Sequence, residues 1–180
     1  MRIVALVVVA AVIGVVLWFV FHHTKKHPGN GNKGNGKQVV LQLLLLPSGL
    51  KAESQTIGQR IYWAGPKNGV RYEFTQEKNG HVFVRYLTGK AKKGVRAANY
   101  LIVATYKYPN AYPLLKKLAN KNAISGALKG PGGSVIYVRP HDQKSVLMAW
   151  PKTNYEVEIY DPLPTQALLT AKSGNVAPVR

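Results

Sequence analysis

After Gln38 the chain offers two histidines and seven carboxylates for acid–base or metal chemistry. They are His81, His141, Glu53, Glu73, Glu77, Asp142, Glu156, Glu158 and Asp161. His141-Asp142 falls in a turn, "RPHDQK". To act in acyl transfer it needs an activated hydroxyl, and no nucleophile elbow such as G-x-S-x-G supplies one. Glu156, Glu158 and Asp161 gather on what the pattern predicts to be an outer edge. They lack the glycine-turned loop of alternating oxygen ligands that a Ca²⁺ site requires, so a plain acidic face is expected. His22, His23 and His27 have no carboxylate or cysteine beside them to complete a metal site. The sequence contains no cysteine, which removes disulfides and thiol nucleophiles alike. "KGPGGS" (Lys129–Ser134) is glycine-rich but precedes a strand pattern. A phosphate loop needs its N–H groups at the start of a helix, so a flexible turn is predicted. No catalytic residue, cofactor or metal is assigned.

Cations are far more plentiful. The formal charge is +18, and Arg2, Lys25, Lys26, Lys33 and Lys37 alone precede Gln38. Two clusters stand out beyond that point. Lys90, Lys92, Lys93 and Arg96 share one loop, "KAKKGVR", and Lys116, Lys117 and Lys121 share one helix face. Together they form a candidate electrostatic footprint for a polyanion. "GHVFVRY" (Gly80–Tyr86) half-matches an RNA-recognition signature, with Asn79, His81 and Val82 departing from it. The ordinary hairpin explains the same residues, which disfavours nucleic acid as a partner.

The elements that must position these residues follow from period and turn chemistry. A three-residue loop, Lys78-Asn79-Gly80, pairs Glu77 with His81 and places Gly80 where a left-handed backbone is needed. One face then carries Tyr72, Phe74, Val82, Val84 and Tyr86. The other carries Glu73 opposite Arg85, with His81 and Phe83 beside them. A slip of one residue would mix the two faces, so this register is the expected one. A second hairpin, closed by Pro151–Asn154, pairs Met148 with Val157 and Val146 with Ile159 and sends Glu156 and Glu158 to the opposite face. "NYLIVATYKY" (Asn99–Tyr108) reads as a central strand and "GSVIYV" (Gly133–Val138) as another. Arg60–Gly65 makes a further short strand. Val39–Leu46 is apolar enough for either a buried strand or a helix. Asn110 is expected to cap a helix with Pro113 in its first turn and a core stripe of Ala111, Leu114, Leu115 and Leu118. Gly49–Gly58 reads as a short helix or turn, and Pro164–Gly174 as a closing helix. The order predicts an α+β domain over 38–180, with a mainly antiparallel sheet of about seven strands and helices on one face.

Residues 1–21 read as a transmembrane anchor. Ile3–Phe21 is free of charge, nearly spans a hydrocarbon core of ~30 Å and ends in Trp18-Phe19, which suit the interface. Residues 22–37 form a Gly/Asn/Lys/His-rich linker whose charge would draw it to anionic lipid. Lys25 and Lys26 argue for a cytoplasmic domain. The layout of short basic start, anchor, tether and domain argues for export, and the extracytoplasmic reading is preferred.

"YWAGPKNGVRYEFTQEKNGHVFVRYL" (Tyr62–Leu87), "VEIYDPLP" (Val157–Pro164) and "GNVAPV" (Gly174–Val179) resemble segments of uncharacterised single-pass extracytoplasmic membrane-anchored proteins of actinobacteria. The resemblance implies an outward-facing anchored domain and carries no activity. The expected function is membrane-tethered binding or scaffolding, toward an anionic wall polymer, lipid headgroups or a protein partner. An envelope hydrolase or transferase built on His141, Asp142 or the acidic edge is the alternative. A reporter enzyme active only outside the cytoplasm, fused after Arg180, is expected to be active. A stable but inactive fusion would place the domain inside.

Overall fold

The structure is a computed structural model that describes residues 39–94, 99–121 and 127–180. The anchor (1–21), the linker (22–37) and Arg96 lie outside the described residues. No helix among the described residues is long and apolar enough to cross a membrane.

Among the described residues, ten strands and three helices succeed one another along the chain: β1 (Val39–Leu45), α1 (Pro47–Thr56), β2 (Tyr62–Trp63), β3 (Val70–Glu77), β4 (Val82–Thr88), β5 (Ile102–Lys107), α2 (Ala111–Lys121), β6 (Leu128–Lys129), β7 (Val135–Arg139), β8 (Asp142–Ala149), β9 (Tyr155–Tyr160), α3 (Gln166–Lys172) and β10 (Ala177–Pro178). Eight form one antiparallel sheet in the order β1-β3-β4-β5-β9-β8-β7-β6, and β2 and β10 form a separate ribbon. The α+β class is as predicted. The apolar run resolves as an edge strand over Val39–Leu45, because it finds a partner in β3, and Leu46 precedes α1.

Both hairpin registers agree with the sequence pattern. Phe74 faces Val84 and Glu73 faces Arg85. Val146 faces Ile159 and Met148 faces Val157. Gly80 takes a φ of 80°, and the Glu77 N–H donates to the His81 carbonyl at 2.9 Å. Alternation places Tyr72, Phe74, Val84, Val103, Met148 and Ile159 on one face, where Leu50 of α1 and Ala167 and Ala171 of α3 pack on them. The two alanines let α3 approach closely. Burying each of the larger apolar side chains contributes about 1.5–3 kcal/mol. Buried tyrosine hydroxyls hold the connecting loop over this core. Tyr86 accepts from the Ala64 N–H and donates to the Gly65 carbonyl, and Tyr72 accepts from the Lys67 N–H. Tyr62 N–H donates to Thr105 Oγ1 at 3.0 Å, which ties the β2–β10 ribbon to the sheet.

Three expectations need correction. The helices do not share one face. Val146 and Met148 point to the first core, whereas Leu147 and Ala149 join Ala111, Leu115 and Ala119 of α2 in a second core on the opposite side. Two faces are apolar at β7 and β8, so each attracts a helix. Within α2, Leu114 is exposed, and the buried stripe runs Ala111, Leu115, Ala119 instead. Asn110 precedes the helix with a φ of 58°, and its contribution is its carbonyl, which accepts from Leu114 N–H, not a side-chain cap.

The opposite face of the first hairpin is largely covered rather than solvated. Glu73 is fully buried and ion-paired with Arg85, and it accepts from Gln42 Nε2 and Gly94 N–H. His81 and Phe83 are half-buried with their rings edge-on to Tyr106 rather than forming a stacking platform. Replacing Arg85 with Leu leaves the Glu73 charge inside with weaker donors. The urea midpoint is expected to fall by the equivalent of about 3 kcal/mol, with partial recovery in the Glu73→Gln, Arg85→Leu double variant. No recovery would mean that Arg85 acts by packing alone.

Candidate functional site

The described members of the two predicted cation clusters lie on the surface in separate places. Lys90, Lys92 and Lys93 follow β4. Their loop is tied to the β1–β3 side of the sheet by Gly94 N–H on Glu73, Arg71 on the Ala91 carbonyl, and Lys93 Nζ on the Gln42 carbonyl at 3.4 Å. Lys116, Lys117 and Lys121 lie on α2, which packs on β7 and β8. Five strand spacings separate β3 from β7, about 24 Å. The α2 cations converge on one shallow concavity with Tyr112, Pro113 and Asn120, and no carboxylate lines it.

The acids went elsewhere. Glu156 and Glu158, expected on an outer edge, are buried beneath the second face. Glu158 is met by a set of donors from three strands. Arg139 Nη2 lies 3.1 Å away, Tyr106 donates at 2.9 Å, and the Ser145 hydroxyl donates as well, to the same oxygen that Arg139 approaches. Arg139 also reaches Ser145 Oγ at 3.4 Å and Asp142 at 3.7 Å. Burial, and then the charge of Glu158, push the Tyr106 phenol well above its ordinary range. Glu156 sits two residues earlier on the same face and receives no donor among the described residues. Burial first, then the charge of Glu158, raise its carboxyl to about 7, against the opposing pull of Arg139. Asp161 parts from them and accepts from the Leu163 N–H in its own turn.

The proposed catalytic alternative finds little in this arrangement. His141 is exposed in its turn, and Asp142 is engaged with Arg139 and the Lys144 N–H. Ser145 is paired with a carboxylate rather than an imidazole, and it is buried. Among the described residues no three His, Asp or Glu side chains converge as a metal ligand set.

A different constellation was not legible in the sequence. Two clefts of about 530 and 460 Å³ meet at Arg60 and Thr153, at the end of the sheet where β5 stops and β9 starts. Tyr62 and Trp150 are stacked 5.0 Å apart, and Tyr155 follows 6.0 Å from Tyr62. Arg60, Lys107 and Lys152 line the same region. Burial raises the Tyr62 phenol, and a hydrogen bond with Arg60 pulls it back. The turn "KGPGGS" contributes Gly132, which has a left-handed φ of 63° and where an added Cβ would come 3.4 Å from Trp150 Nε1. The three cations lie up to 92 positions apart along the chain, so no local motif announces them.

No protein-family model matches the chain, nor does any curated protein or solved structure.

Glu156 makes the stability of the domain depend on pH. Its folded-state value is raised above the ordinary 4.5 to about 7. The folded protein therefore keeps a proton that the unfolded chain loses in that interval. The resulting stabilisation is fully present below about 4.5 and is lost as pH rises through about 7, on the order of 3 kcal/mol in all. Urea midpoints at pH 5 and pH 8 are expected to differ in that direction, and Glu156→Gln, which keeps a neutral group, is expected to flatten the difference. An unchanged slope in the variant would place the pH dependence on another group.

Proposed function

We propose that this chain is a membrane-tethered binding domain, facing away from the cytoplasm, that holds an anionic polymer of the cell envelope. One observation carries the reading. Of the seven Asp and Glu side chains, Glu73, Glu77, Glu156 and Glu158 are buried and the other three are half-buried, so none is fully exposed. The exposed charges among the described residues are cations. A surface of one sign raises the local concentration of polyanions and releases their counterions on contact. The concavity on α2 supplies a place where three such charges act together.

The membrane tether rests on the apolar run Ile3–Phe21, and the outward orientation on the layout of the chain and on the resemblance to anchored extracytoplasmic proteins. The binding function needs only a surface and a tether. Hydrolysis or group transfer would need a nucleophile beside a base, and here Ser145 is committed to Glu158, Asp142 to Arg139, and His141 is exposed in its turn.

The full chain in uncharged detergent micelles, passed over an immobilised polyglycerol phosphate, is expected to be retained at low salt. Affinity is expected to fall by about tenfold or more between roughly 50 and 200 mM salt. Changing Lys116, Lys117 and Lys121 together to Ser is expected to weaken retention with little loss of stability, because exposed cations contribute little to folding. A second variant carrying Lys90→Ser and Lys92→Ser measures the share of the other cluster. Failure of the unmodified chain to be retained would overturn the reading.

A further inference from the structure

We propose that the double cleft at the β5–β9 end of the sheet is a second, specific binding site, and that it takes a sugar ring bearing a phosphate or carboxylate. The site shares no residue with the α2 surface, so it stands whether or not that surface binds a polymer.

The charge argument comes first. Arg60, Lys107 and Lys152 are exposed and converge from β2's approach, the end of β5 and the β8–β9 turn. None of the three has a carboxylate partner among the described residues. Gathering like charges with no Asp or Glu lining the clefts raises the energy of the free protein, and an anion seated among them relieves it. Lys152 adds a conformational cost. It occupies a left-handed backbone with a φ of 59°, which disfavours an L side chain by about 1–2 kcal/mol and would suit glycine. What lysine brings to that position is its ammonium group.

The shape argument selects a ring. Trp150 is partly exposed in the cleft wall, braced from behind by the buried Tyr62. Its indole N–H has no acceptor among the described residues, and Trp150 lines the cleft. An aromatic wall with an unused donor suits a pyranose, which offers C–H groups to the ring and a hydroxyl to the N–H. Asn154 and Tyr155, beside Thr153, add groups that both donate and accept, as sugar hydroxyls do. A nucleobase would be held by stacking with donors and acceptors fixed in its plane, which is why adenosine monophosphate is a comparison arm below.

The test uses the full chain in uncharged micelles and isothermal calorimetry. Glucose 1-phosphate is the probe, with glucose, inorganic phosphate and adenosine monophosphate as comparison arms. Glucose 1-phosphate is expected to bind about tenfold or more tightly than either glucose or phosphate, because the site meets both halves of the molecule. Lys152→Gly relieves the backbone and so keeps or raises stability, yet it is expected to weaken binding by about tenfold. Trp150→Leu is expected to weaken it as far, and should that variant unfold, Lys152→Gly and Arg60→Ser carry the test. The triple Ser variant of Lys116, Lys117 and Lys121 is expected to bind the probe unchanged. The proposal is overturned if the probe does not bind at millimolar concentration, or if phosphate alone binds as well. It is equally overturned if adenosine monophosphate is preferred, or if Lys152→Gly and Arg60→Ser leave affinity intact.

Discussion

A carboxylate taken out of water costs several kcal/mol unless its charge is met by donors on the spot, and this domain takes four of them inside. Much of the second face of the sheet can be understood as the answer to that cost. Glu73 is met by Arg85, Gln42 and the backbone of the loop after β4. Glu158 is met by Arg139, Tyr106 and Ser145. Each solution draws on several strands, so it holds only when the sheet is assembled in one order and register. The apolar first face would tolerate small shifts in packing, whereas these ion pairs would not.

The same arrangement decides what the outside of the molecule looks like. Moving the acids inward leaves lysines and arginines as the exterior charge. Internal carboxylates still lower the net repulsion, since their field is felt through the thin sheet, but they are not available to bind an approaching cation. The charged side chains fully exposed among the described residues are thus all cations. The α2 cations lie over the second face, Lys90, Lys92 and Lys93 lie in the loop after β4, and the aromatic cleft lies at the end of the sheet. Long antiparallel strands make such separation easy, because their turns gather at the sheet's ends while helices and crossing loops lie over its faces.

Alternation was the most legible feature of the sequence. Period-two patterning and Asn79-Gly80 were enough for both hairpin registers, down to the Glu73–Arg85 pair. The same patterning misled on which face meets solvent. It separates charged from apolar residues, but it cannot say whether the charged side will be covered. Glu156 and Glu158 read as solvated because nothing local to them reveals Arg139, Tyr106 and Ser145, which arrive from other strands. The side on which α2 packs was hidden for a related reason. Strand β8 is apolar at both parities from Val146 to Ala149, so the pattern allowed a helix on either face. The cationic clusters were visible because they are contiguous in sequence. The cleft was not, since Arg60, Lys107 and Lys152 become neighbours only through the closing of the sheet.

The strand order has a consequence for how the chain reaches this state. Strands β1, β3, β4 and β5 are neighbours in space largely in the order of synthesis, and so are β6 to β9. The two groups are joined by one ladder, in which Ile102–Lys107 pairs with Tyr155–Tyr160. Until β9 is made, the first group must wait with the β5 edge bare, and that edge is rich in Ile, Val, Thr and Tyr. An unpaired edge of this composition is a template for wrong partners. The middle of the finished sheet, its most protected part, is therefore the last seam to close and the point at which a growing chain is most exposed to aggregation.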